Sequence, residues 1–163
     1  MPKPIPELHP GDVLLYNDHS IVDGLICFRT WSDVAHVEVY LGSGLSAASR
    51  NGIGVNVYPM RLLDLQYVRR PKDAFDINKA YTFARQMSGT PYGWLDLTEF
   101  YGGLPRWLTR LLRLKNEGLI CSQFADLQLR AGQVVAFAED YPAGKVSPRD
   151  FLVTPTLDTV WQR

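Results

Sequence analysis

What this chain has little of excludes several classes of protein. Its two cysteines, Cys27 and Cys121, are too few for a disulfide framework, and a reducing compartment is the simplest interpretation. Lys and Arg together number 17, as do Asp and Glu, so no net charge attracts nucleic acid or an anionic membrane. The three histidines do not have metal-ligand spacing, and there is no HExxH, Gly-rich phosphate loop or paired-cysteine motif. The sequence therefore predicts no cofactor, no metal and no nucleic-acid partner.

Long apolar runs are also missing. The start, MPKPIPELHPGD, has no apolar run after a positive region, and no stretch of 18 or more apolar residues follows. We therefore expect no signal peptide and a cytoplasmic location. The length of 163 residues suits one domain. Four prolines in residues 1–10 predict an extended arm, followed by a single domain over residues 11–163.

Strand patterns precede helix patterns along the chain, which indicates an α+β fold. Alternating or apolar segments bounded by turn residues predict five strands, at Asp12–Tyr16, around His36, Leu45–Ser49, Gly54–Pro59 and Gln66–Arg70. Helical periodicity predicts five helices, at Ser20–Phe28, Ile77–Met87, Trp94–Tyr101, Leu104–Leu114 and Leu119–Ala131.

Cys121 lies in EGLICSQFADLQLRAG, in the first turn of the last predicted helix. Unpaired N–H groups and the positive end of the helix dipole favour a thiolate there, although a small buried core residue is the alternative interpretation. A nucleophilic cysteine needs a base, and His36 in DVAHVEVYLGSG is the candidate. His9 and His19 have the sequence context of exposed surface residues.

These segments resemble a known family. The strand AHVEVYLG, the strand GVNVYP and a later helix opening with CS are similar to the permuted NlpC-like papain-fold cysteine hydrolases, the YiiX/YebB-like branch. The order of histidine before cysteine is shared with the more distant lecithin retinol acyltransferase-like enzymes. The likeness runs from GDVLLY at Gly11 through GTPYGW to SPRDFLV ending at Val153.

The resemblance implies a circularly permuted papain-like fold, with an antiparallel sheet carrying His36 and Glu38 against the Cys121 helix. It implies a cysteine peptidase or amidase that cleaves an amide or ester bond through a thioester intermediate. The backbone N–H of Cys121 would stabilise the oxyanion. Cell-wall peptides or lipid acyl groups are the implied substrates, in bacterial or phage settings that include a phage particle or a secreted effector.

The orienting third residue departs from the acyltransferase-like pattern. There a second histidine follows the first by twelve residues, and here that position is Ala48, which cannot orient an imidazole. Glu38 lies two residues after His36, on the same face of the strand, and is our candidate. A solvent-facing glutamate on an edge strand is the alternative, and Ser49 is a second candidate for the orienting role.

Further positions have two interpretations each. Tyr92, Tyr16 and Ser122 are candidate substrate contacts or ordinary packed residues. Where the family often carries an acidic residue after the cysteine, this chain has Gln123. The cationic amphipathic segment 104–115 is typical of a helix docked on a sheet, and a membrane-surface helix is the alternative. Two rival functions remain, an acyltransferase or lipid acyl hydrolase, and a non-catalytic phage or structural binding module.

Overall fold

A computed structural model describes residues 4–17, 32–93, 118–138, 141 and 145–163. Cys27, His19, segment 104–115 and the helices predicted at Ser20–Phe28, Trp94–Tyr101 and Leu104–Leu114 lie outside these residues. None of the helices in the described ranges has the length and apolar character needed to cross a membrane.

Within the described ranges, six strands form one antiparallel sheet in the order β4-β3-β2-β1-β5-β6. The strands are β1 (Val13–Tyr16), β2 (His36–Gly42), β3 (Leu45–Arg50), β4 (Gly54–Pro59), β5 (Leu65–Pro71) and β6 (Leu157–Gln162). The five predicted strands and the α+β class are confirmed. Of these six described strands, β6 was not predicted.

The sequence pattern of β6 does not predict a strand, because the strand contains a bulge. Its buried residues, Leu157 and Trp161, are four positions apart, with exposed Asp158 and Thr159 between them. The register against β5 shifts between Val68 and Arg69, so the period of two is broken along the strand.

Three helices are described, namely α1 (Ile77–Gln86), α2 (Cys121–Ala131) and α3 (Pro148–Val153). The structure confirms α1 and α2, except that α2 begins two residues later than the predicted Leu119. Helix α3 was not predicted; Asp150 Oδ2 accepts hydrogen bonds from the backbone N–H and the hydroxyl of Ser147 at its start, at 2.7 and 2.8 Å.

The two faces of the sheet bury different clusters. Val13, Leu15, Val37 and Val39 pack with Cys121, Ala125 and Leu129 of α2. On the opposite face, Leu14, Tyr16 and Tyr40 pack with Met60 and with Ile5 and Leu8 of the N-terminal arm. The arm has no helix or strand in residues 4–10, as its prolines predicted.

Residues 60–64 cross this second face, because β4 is an edge strand and β5 lies on the far side of β1. The Met60 N–H donates to Gly44 O at 2.8 Å, and the Asn17 N–H donates to Asp64 O at 3.0 Å. Between these anchors, the Arg61 guanidinium lies 5.0 Å from the centre of the Tyr16 ring. The crossing segment therefore covers the part of β2 that carries Glu38.

Candidate active site

Cys121 is the first residue of α2, and the chain before it is held by close backbone contacts. Leu119 pairs with Tyr92 in a parallel bridge, and its N–H donates to Pro91 O at 3.1 Å. A Cβ on Gly118 would lie 2.5 Å from the Tyr92 carbonyl carbon, so a side chain does not fit there. The close approach to Tyr92 therefore requires glycine at position 118.

The start of α2 is capped by a side chain of its own. Ile120, the extended N-cap residue, donates its N–H to Gln123 Oε1 at 3.1 Å. This contact gives Gln123 a structural role at the start of the helix. The N–H groups of the first helical turn, including that of Cys121, have no acceptor within the helix.

Cys121 is buried, with 3% of the residue exposed. Its sulfur lies 4.0 Å from the carbonyl oxygen of Ala35, the residue directly before the start of β2. The Cys121 side chain is also close enough to the His36 ring to raise the pKa of His36 through its charge and hydrogen bonding. The structure thus brings together the two residues that the sequence proposed as nucleophile and base.

The other side of the His36 ring faces Glu38, with 3.1 Å between Nε2 and Oε1. An ionised carboxylate only accepts hydrogen bonds, so Nε2 must carry the proton. In the neutral imidazole this leaves Nδ1 without a proton and able to accept one. The Glu38 contact therefore selects the tautomer that a general base requires.

Burial of His36 lowers its pKa, but the charge and hydrogen bond of Cys121 and the hydrogen bond and charge of Glu38 outweigh this effect. Together they raise the pKa of His36 from 6.5 to about 9. The protonated imidazole is thus favoured at neutral pH, because Cys121 and Glu38 on either side of it can each carry a negative charge.

Glu38 is completely buried on β2, an interior strand of the sheet. The alternative of a solvent-facing glutamate on an edge strand is therefore wrong. The expectation that it faces the Cys121 helix is also wrong, because α2 packs on Val37 and Val39, which point to the other face. His36, at the end of the strand, contacts groups of both layers.

Two cations and a hydroxyl surround the Glu38 carboxylate. Arg50 donates through Nε to Oε1 at 2.9 Å and through Nη2 to Oε2 at 3.2 Å. Ser46 Oγ donates to Oε2 at 2.5 Å, and Arg61 Nη2 lies 3.7 Å from Oε1. Burial alone raises the pKa of Glu38, yet its contacts with His36, Arg50 and Ser46 lower it from 4.5 to about 2.

The side chains of β3 alternate between the two faces of the sheet. Ser46 and Arg50 lie on the Glu38 side with Ala48, the position of the absent second histidine. Ser49 lies on the other side and donates its hydroxyl to Leu119 O at 2.5 Å. The structure therefore places Glu38, and not Ser49, beside the imidazole.

The proposed substrate contacts have different surroundings. Tyr16 is fully buried, with its ring centre 6.1 Å from that of His36 and its hydroxyl donating to Arg61 O at 3.1 Å. Burial is the main reason that the pKa of Tyr16 is raised. Tyr92 is half-buried at its bridge with Leu119. Ser122 is fully buried, and its hydroxyl has no hydrogen-bond partner among the residues that the structure describes.

Sequence reasoning missed Ser46, Arg50 and Arg61. A signal for two of them was present, since LSAASR places Ser46 and Arg50 on one face of a strand that otherwise carries small side chains. No local pattern points to Arg61, which reaches Glu38 only because residues 60–64 cross the sheet.

Comparisons with known proteins bear on the fold. The structure is similar to that of metalloprotein yiiX from Escherichia coli O157:H7, with a TM-score of 0.64 and 14% sequence identity over 94% of this chain and 97% of that chain. The expected YiiX-like fold relation is therefore confirmed, and at this identity the likeness concerns the fold alone. No protein-family model and no curated protein matches the sequence.

Proposed function

We propose that the chain is a cysteine hydrolase of the permuted papain-like kind, acting on an amide or ester bond. The observation that carries the proposal is the His36 ring, held between the thiol at the first position of α2 and a buried, ionised Glu38. Cys121 as nucleophile, His36 as base and Glu38 as orienting group make up the arrangement that nucleophilic catalysis requires.

In the proposed reaction, His36 Nδ1 takes the proton of the Cys121 thiol and the sulfur attacks the substrate carbonyl carbon. The resulting oxyanion is stabilised by the Cys121 N–H at the helix start. The imidazolium then gives its proton to the leaving amine or alcohol as the carbon–nitrogen or carbon–oxygen bond breaks. A thioester remains on Cys121.

The second half of the reaction returns the enzyme to its starting state. Neutral His36 takes a proton from water, and the hydroxide attacks the thioester. The carbon–sulfur bond breaks, the carboxylic acid leaves, and the proton on His36 returns to the sulfur. Glu38 keeps the imidazole in one tautomer throughout. Peptide, cell-wall and lipid acyl groups all contain the required carbonyl.

The similar structure is described as a metalloprotein. In this chain, the described residues contain no group of three or more His, Cys, Asp or Glu side chains that could hold a metal ion. Both oxygens of Glu38 accept hydrogen bonds, and two arginines face them. These residues do not fit a metal centre, so the proposed steps use only side chains and water.

The proposal is tested by the pH dependence of Cys121 modification with iodoacetamide, a reagent small enough for a nearly buried thiol. Three proteins are compared. The parent carries Cys27→Ser alone, and the other two add His36→Ala or Glu38→Gln to it. We expect Cys121 to react well below the pH at which a free thiol ionises, about 8.5, and His36→Ala to abolish this reactivity. An ordinary thiol profile that His36→Ala leaves unchanged would exclude the proposed mechanism.

A further inference from the structure

Glu38 Oε1 is shared by two donors of different kinds. His36 Nε2 lies 3.1 Å from it, and Arg50 Nε lies 2.9 Å from the same atom. Charge-assisted N–H···O bonds are about 2.7–2.9 Å long, so the arginine makes the shorter bond and the imidazole the longer one. The carboxylate is therefore bound more closely to Arg50 than to His36.

Arg50 is itself held in place. Its Nη2 donates to Glu38 Oε2 and to Pro59 O, each at 3.2 Å, and its guanidinium lies 4.2 Å from the centre of the Tyr58 ring. A planar fork with contacts to both carboxylate oxygens fixes the direction of Oε1. Among the described residues, the groups that face Glu38 from the surrounding elements are His36, Tyr16, Ser46, Arg50, Tyr58 and Arg61.

We propose that Arg50 is a positioning residue that aims Glu38 at His36 and, by sharing Oε1, limits the negative charge acting on the imidazolium. The inference rests on the proposed function. An imidazolium paired with an unshared buried carboxylate would hold its proton more tightly and would be a weaker acid toward the leaving group. The arginine thus lets Glu38 select the tautomer without trapping the proton.

The expected effect follows from distance and charge. Because both nitrogens contact one oxygen, they are at most about 6 Å apart. Two unit charges at this separation, at an effective dielectric constant of about 20, change a pKa by roughly 2 units. Loss of the Arg50 charge should therefore raise the pKa of His36.

The test is an NMR titration of His36 in the full chain carrying Cys121→Ala, which removes coupled titration with the thiol. Adding His36→Gln identifies the resonance among the three histidines. We expect Arg50→Gln to raise the pKa of His36 by at least about 1 unit, and Arg50→Lys, which keeps the charge, to stay within about 0.5 unit of the parent. Arg50→Met keeps packing on Tyr58 and repeats the test if the glutamine variant does not fold.

Arg130→Gln is the matched control. Arg130 Nε lies 2.9 Å from Oδ2 of buried Asp126, so this change breaks a similar ion pair away from His36 and should not alter the titration. An unchanged or lowered pKa in Arg50→Gln, or an equal rise in Arg50→Lys, would overturn the inference. The iodoacetamide experiment measures the reactivity of Cys121 and tests the proposed hydrolase function. The titration is done without Cys121 and tests the role of Arg50, so failure of one proposal is distinguishable from failure of the other.

Discussion

Replacement of Glu38 by Gln should destabilise the protein in a pH-dependent way. The change keeps the shape of the side chain but removes the charge that pairs with Arg50, Arg61 and protonated His36. The pKa of Glu38 falls from 4.5 to about 2 on folding. At about 1.36 kcal/mol for each pKa unit, the ionised carboxylate contributes about 3 kcal/mol to stability at pH 7. Breaking a buried ion pair typically costs about 3–5 kcal/mol, which agrees in size.

The sign of the pH dependence follows from the lowered pKa. Stability from Glu38 is fully present above its unfolded pKa of 4.5 and is lost as the pH falls through about 2. The difference in unfolding free energy between wild type and Glu38→Gln should therefore shrink from about 3 kcal/mol at pH 7 to about 1.5 kcal/mol at pH 3. Urea unfolding at pH 7, 5 and 3 measures this difference.

Asp126→Asn provides a control of opposite sign. Burial is the largest influence on Asp126 and raises its pKa despite the Arg130 ion pair. Stability from a group with a raised pKa is present below the unfolded value, 3.8, and is lost as the pH rises. Wild type should therefore lose stability relative to Asp126→Asn as the pH increases. A Glu38→Gln difference that is independent of pH, or that follows the Asp126 trend, would refute the reasoning.

Two further predictions concern the supports of the site and of the sheet. Gly118→Ala should lower the free energy of unfolding by about 2 kcal/mol, because the added Cβ would meet the backbone of Tyr92. It should also slow the alkylation of Cys121 by displacing the start of α2, and an unchanged alkylation rate would contradict this. Arg69→Met should lower the free energy of unfolding, measured with urea, by about 3 kcal/mol. The Arg69 guanidinium donates hydrogen bonds to the carbonyls of Leu152, Thr154 and Leu157, and its loss leaves them without this donor. Lys72→Met, which breaks an exposed pair with Asp158 in the same part of the sheet, is its control and should leave the midpoint unchanged.

Local signals were sufficient for much of the fold. Alternation and turn residues located β3 and β4, and helical periodicity located α1, because these elements bury one regular face each. The pattern failed at β6, where a bulge changes which residues point inward. It also placed the start of α2 too early, since the contact of Leu119 with Tyr92 involves residues distant in sequence.

The candidate site divides in the same way. Cys121 was recognised from its place at a helix start, and Glu38 from its spacing to His36, both of which are properties of short segments. Ser46 and Arg50 meet Glu38 only through the pairing of β2 with β3, and Arg61 only through the crossing of residues 60–64. These contacts join parts of the chain 8 to 23 positions apart, which no local pattern describes.

The sequence by itself determined the α+β class, five strands, two described helices and the identity of the thiol, imidazole and carboxylate, because period and spacing act within single elements. Only the tertiary structure decided which face of the sheet Glu38 occupies and which cations surround it. The physical reason is that a buried carboxylate is stable as an anion only with partners, and those partners come from other strands and from a connection across the sheet. The state of the His36 proton therefore depends on tertiary contacts.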